Sequence, residues 1–182
     1  MQSPLVPPRI VRDPESINQL NSDLFRARED DRYSDPAAVR KKAMDFLARR
    51  DYGREELIRK LANAGYESPT VVEVVGRLSE EGLQDDRRFV ENFIQSRVNQ
   101  GKGPMRIQAD LGHRGLPGGL VDEVLDDYEV DWFELAAQVR EKKFGLSAPG
   151  NFKEKARQMR FLQQRGFEQA HIQSAVSGAE FD

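Results

Sequence analysis

Apolar residues along this chain recur at helical spacing and keep time with three glycines. Gly65, Gly115 and Gly166 stand about 50 residues apart, and a leucine precedes each by four positions: Leu61, Leu111 and Leu162. Val71, Val121 and Ile172 follow the glycines by six positions, and Val75, Leu125 and Val176 by ten. Matching offsets on both sides of all three glycines define an internal repeat. No segment sustains the period-2 alternation of a half-buried strand. The pattern predicts an all-α protein of three tandem three-helix repeats.

Helix punctuation sharpens the picture. The spacing predicts first helices over 36–50, 86–99 and 132–144, second helices over 54–64, 104–114 and 152–165, and third helices over 69–80, 118–128 and 168–177. Asp35 with Pro36, Ser68 with Pro69, Pro104 and Asn151 supply starts. Gly65, Gly82, Gly115 and Gly166 supply left-handed stops. One apolar stripe per helix cannot bury enough surface in a single unit, so the units must stack. The repeats are expected at 36–83, 84–130 and 131–182. The third departs from the others: it has the longer connection "FGLSAPGN", and Gln158 stands where the others carry Leu57 and Ile107. Residues 1–35, with Pro4, Pro7, Pro8 and the charged run "REDDRYSDP", read as a mobile, partly disordered extension. It has room for one short helix opening at Asp13 and Pro14.

Composition agrees with thin helical layers: 38% of residues are hydrophobic and 32% charged. The chain has no cysteine, which excludes disulfides, thiolate nucleophiles and zinc knuckles. No apolar run approaches the roughly 20 residues of a membrane span, and the first residues lack the form of a secretion signal. A cytoplasmic protein without a membrane partner is expected.

Candidate chemistry is sparse. "GKG" at 101–103 lacks the preceding strand and the Lys-Ser/Thr ending of a phosphate loop, and reads as an inter-helix turn. His113 and His171 lie in different repeats without further ligands at metal spacing. His113 suits a helix C-terminus, and His171 a partly buried packing position. Asp85 and Asp86 read as a helix start with an anion in its first turn. Most aromatics fall at core offsets and form no clustered stacking platform. No nucleophile–base–orienter set can be assembled, so no enzyme, cofactor, metal or small-molecule substrate is expected.

The charge is segregated. The net charge is −3, yet Arg87, Arg88, Arg97, Lys102, Arg106 and Arg114 fall within 28 positions. From Arg140 to Arg165 there are eight Lys/Arg and two acids, while "VDEVLDDYEVDWFE" between these regions has seven acids and no base. Single charges of this kind solvate helix faces. As a pattern they fit a polyanionic or charge-patterned partner. Arg97, Lys102 and Arg106 should converge at one corner, and with Arg114 they form the leading contact candidates. Arg140, Lys142, Lys143, Lys153, Lys155, Arg157 and Arg160 form a second set.

"EEGLQDDRRFVENFIQSRVNQGKGPMRIQADLGHRGL" resembles the central signature of the RecX regulatory proteins. "RRDYGREELIRKLANAGY" resembles that family's first repeat, and "EVDWFELAAQVREKKFG" with "KARQMRFLQQRGFEQAHIQ" its third. The resemblance covers about residues 36–178. It implies a curved, elongated body of tandem three-helix units, acting in the bacterial cytoplasm on the RecA recombinase. Such proteins lie in the groove of the RecA–DNA filament and restrain its recombinase, ATPase and coprotease activities. The expected partner is therefore the RecA nucleoprotein filament, with weak direct contact to single- or double-stranded DNA. The alternative from the residues alone is a helical-repeat module that binds DNA by itself.

Overall fold

The computed structural model describes residues 18–19 and 33–177. The expected extension, with its helix start at Asp13, lies almost wholly outside the described residues. Among them are nine long helices and no strand. They are α1 Pro36–Leu47, α2 Arg54–Asn63, α3 Ser68–Glu80, α4 Asp86–Asn99, α5 Pro104–His113, α6 Gly118–Asp127, α7 Trp132–Phe144, α8 Phe152–Gln164 and α9 Gln169–Ser177. Three consecutive helices form each bundle.

Side-chain caps start four of the helices. Asp35 accepts from the Ala37 and Ala38 N–H groups, Asp85 from Arg88, Asp131 from Phe133 and Glu134, and Asn151 from Glu154. Each satisfies donors that a helix start leaves unpaired. Ser68 is not a cap: α3 begins at Ser68 itself and Glu67 precedes it without a side-chain bond, while Pro69 keeps its place in the first turn. The stop glycines Gly65, Gly115 and Gly166 have φ of 96°, 88° and 86°. A Cβ makes this left-handed region unfavourable.

Each bundle encloses its own core. Leu57, Leu61, Val71, Val75 and Leu78 fill the first; Val90, Ile94, Ile107, Leu111 and Val121 the second. The third is smaller and more polar: Ala136, Leu162, Phe167, Ile172, Ala175 and Val176, with Arg140, Gln158 and His171 buried beside them. In α3, Val71, Val74, Val75 and Leu78 make an i, i+3, i+4, i+7 stripe. Full burial of each large aliphatic side chain contributes about 1.5–3 kcal/mol.

The bundles join in a row by one recurring device. The start of the second helix of one bundle packs on the stop glycine of the next. A Cβ on Gly115 would lie 3.2 Å from Glu55 Cβ, and a Cβ on Gly166 would lie 2.5 Å from the Arg106 nitrogen. In bundle one Tyr33 fills the equivalent place. A Cβ on Gly65 would lie 3.0 Å from the Tyr33 ring, whose centroid is 5.7 Å from that of Tyr66. The Tyr33 carbonyl also accepts from Glu67 N–H at 3.0 Å.

Candidate functional site

In bundle two, every arginine is ion-paired within the chain. Arg87 reaches Glu123 and Asp127, each at 2.6 Å, and so ties α4 to the acidic α6. The Glu123 and Asp127 bonds raise the Arg87 pKa above its ordinary value. Arg88 meets Asp51 at 3.2 Å, and Arg114 meets Glu56 at 2.9 Å. Arg97 and Arg106 converge as expected, but on Asp110, at 3.4 Å and 3.0 Å. The Arg97 Nε is buried without a directed hydrogen bond, so its link to Asp110 is electrostatic. Its guanidinium also lies 4.5 Å from the Phe93 ring centroid. Lys102 sits half-buried on the turn, its N–H donating to the Arg97 carbonyl at 3.0 Å.

Arg114 belongs to the seam between bundles one and two. Its carbonyl accepts from Arg59 Nη2 at 2.8 Å, while its side chain reaches Glu56. Asp86, read as a first-turn anion, also serves that seam by accepting from Arg54 N–H at 2.7 Å. Gly101 and Gly103, read as a flexible turn, form the seam between bundles two and three. Gly103 N–H donates to the Arg165 carbonyl at 2.9 Å, and Met105 N–H to the Gly166 carbonyl at 3.1 Å.

Bundle three differs. Arg140 is 1% exposed, so it leaves the set of surface contacts. Its Nε donates to Gln158 Oε1 at 3.0 Å and its Nη2 to the Ser147 carbonyl at 2.5 Å. A buried guanidinium requires such acceptors. The polar Gln158 at an otherwise aliphatic position is therefore the counterpart of Arg140. That glutamine was the one sequence signal that could have revealed the pair. His171 is buried, accepts from Glu168 N–H at Nδ1, and meets the Phe133 ring edge-on at 4.7 Å between centroids.

Lys142, Lys143, Lys153, Arg157 and Arg160 enter no ion pair among the described residues. Lys142 and Lys143 occupy the last turn of α7, where the helix dipole favours cations. They border a groove of about 560 Å³ whose far wall is Val98 to Gly101 of bundle two. Lys143, Arg157 and Arg160 border a second hollow of about 360 Å³. Phe161 borders both and Phe144 the second; the two rings meet edge to face at 5.3 Å, with Arg157 and Arg165 over them at 5.5 Å and 5.1 Å. Lys153 and Lys155 lie in the first turns of α8, next to its exposed first residue, Phe152. Phe152 is 85% exposed, an exception among the aromatics. This bundle thus gathers cations, two aromatic rings and an open groove on one region of surface. No described helix is long and apolar enough to cross a membrane.

Comparison with known proteins agrees with this architecture unit by unit. Residues 40–78 match the first three-helix domain of RecX, 85–125 the second and 129–176 the third. The chain is 46% identical to the regulatory protein RecX of Halorhodospira halophila over 145 residues, covering 80% of this chain and 90% of the relative. It is 43% identical to that of Pseudomonas entomophila, with 80% and 94% covered. The crystal structure of RecX from Lactobacillus salivarius shares the fold at a TM-score of 0.70 and 17% identity, covering 81% of this chain and 97% of that one. The repeated glycines, the three separate cores and the order of the matched domains place this chain in the RecX family of regulatory proteins.

Proposed function

We propose that this protein acts in the cytoplasm on RecA–DNA filaments, and that it restrains recombinase, ATPase and coprotease activity by limiting filament growth or promoting disassembly. The observation that carries this reading is the contrast in charge use. The arginines of bundle two are paired internally, whereas bundle three leaves Lys142, Lys143, Arg157 and Arg160 available to a partner. A row of bundles suits contact with successive subunits of a helical filament. The relatives' name, regulatory protein RecX, supports the same partner.

The contact set is accordingly weighted toward Lys142, Lys143, Arg157 and Arg160, with Lys102 on the neighbouring turn. Reversing Arg97 and Arg106 would break the Asp110 cluster as well as any contact, so it is a poor probe. The Lys142→Glu/Lys143→Glu variant is a cleaner one. It should stay folded and lose inhibition of RecA ATP hydrolysis about tenfold or more. Unchanged inhibition by the folded variant would remove these lysines from the interface.

Direct DNA binding is favoured by the basic groove with Phe144 and Phe161 beside it. That reading requires a steep salt slope, with log K falling about 0.7–0.9 per neutralised phosphate for every unit of log salt. One titration decides. Tight binding to assembled filament with weak binding to naked DNA supports the RecA reading, and equal affinities support the DNA module.

A further inference from the structure

The start of the second helix covers a stop glycine of the next bundle in two of the three units. Among the described residues, no bundle lies beyond the start of α8. Gly53 and Gly103, twelve residues before their stop glycines, correspond to Glu154. Those glycines are needed because the next bundle presses on them: a Cβ on Gly53 would lie 3.1 Å from Leu116 Cδ2, and a Cβ on Gly103 2.5 Å from the Phe167 nitrogen. With that pressure absent, α8 begins two residues ahead of Glu154, at Phe152.

A terminal unit in water should turn a polar face outward. Here two large apolar side chains stand outward among the lysines. Phe152 is 85% exposed and Leu146 79%, the highest values among the exposed large hydrophobics of the described residues. Leu146 lies in the α7–α8 connection and Phe152 is the helical residue that closes it; the other bundles make this connection without exposed large apolar residues. The connection is fixed in place. Arg140 holds the Ser147 carbonyl from inside the core, and Gly150 N–H donates to Glu154 Oε2 at 2.8 Å. A side chain presented on a fixed loop loses little freedom when it binds. Lys142 and Lys143 precede the loop and Lys153 follows Phe152, all exposed. Lys153 stands in a first helical turn, where the dipole disfavours a cation, so it does not serve the helix.

We propose that this loop is a docking prong. Leu146 and Phe152 enter an apolar pocket on a protein partner, and the surrounding lysines meet carboxylates at the pocket's rim. Under the function proposed above, on which this inference rests, the partner is the recombinase subunit. A protein fits better than nucleic acid because the corresponding edge makes protein–protein seams twice within the chain. Base stacking, moreover, calls for neighbouring aromatic rings, and Phe152 has an aliphatic companion.

The full chain tests this in two arms. The Leu146→Ser/Phe152→Ala variant removes only exposed side chains, so its thermal midpoint should match the parent. Its affinity for assembled RecA filament should fall roughly tenfold or more, as for loss of an aromatic anchor, while affinity for naked DNA stays the same. In the second arm, p-benzoylphenylalanine replaces Phe152 and the filament is irradiated. An adduct with RecA supports the prong. An adduct with DNA or with a second copy overturns it, as does unchanged filament affinity of the double variant. Failure of the parent chain to bind filament overturns the functional reading itself, and the prong's named partner with it.

Discussion

The two seams of the array join equivalent parts by different means. At the first, side chains carry the contact: Arg59 bonds the Arg114 carbonyl, Arg114 pairs with Glu56, and Asp86 accepts from the Arg54 amide. Leu116 packs over Gly53. At the second, backbone meets backbone, with the Gly103 and Met105 amides on the Arg165 and Gly166 carbonyls. Donors left over at one helix start are satisfied by acceptors left over at another helix end, and the two helix dipoles run head to tail. A repeated position is therefore not a repeated interaction. Side chains at the first seam can shift by a few tenths of an ångström, whereas the backbone at the second cannot.

The sharpest test puts one substitution at both seams. Gly103→Ala drives a methyl group into the backbone of Gly166 and Phe167, and should destabilise by about 3 kcal/mol or more. The third bundle should then unfold in a separate urea transition. Gly53→Ala meets only the end of Leu116 and should cost about 1 kcal/mol or less, with a single transition retained. Equal losses at the two glycines would break the comparison.

Smaller effects sharpen it. Arg165→Ala removes donors to the Gln100 and Gly101 carbonyls at 2.8 and 3.4 Å and should lower stability by about 1–2 kcal/mol. Glu56→Gln weakens the first seam, where Glu56, 16% exposed, lies between Arg50 and Arg114. A loss of about 1 kcal/mol that shrinks in high salt is expected by calorimetry. Least of all, Lys142→Glu/Lys143→Glu should leave stability within about 0.5 kcal/mol, because neither lysine joins a seam.

What the amino-acid sequence disclosed follows from which forces are periodic. Helix starts at Asp35, Asp85 and Asn151 and the stops at Gly65, Gly115 and Gly166 were legible, because capping and left-handed turns leave local marks. The apolar stripes of α3, α6 and α9 were legible for the same reason. The seams were not. Gly103 looks like any turn glycine until another bundle's backbone lies against it, and Arg114 looks like any surface arginine until Glu56 arrives from 58 positions away. Arg140 misled because a charged residue near a helix end normally reaches water. Only Gln158, polar at a core position, hinted at a buried donor. The exposure of Phe152 had no local mark either, since the pattern placed most aromatics at core offsets.

Tyr33 gives the row of bundles a direction. Its ring and carbonyl occupy the surface on Gly65 and Glu67 that a preceding bundle would otherwise use. A second molecule arriving at that end would first have to evict it. End-on stacking of a second copy over Gly65 is thereby disfavoured.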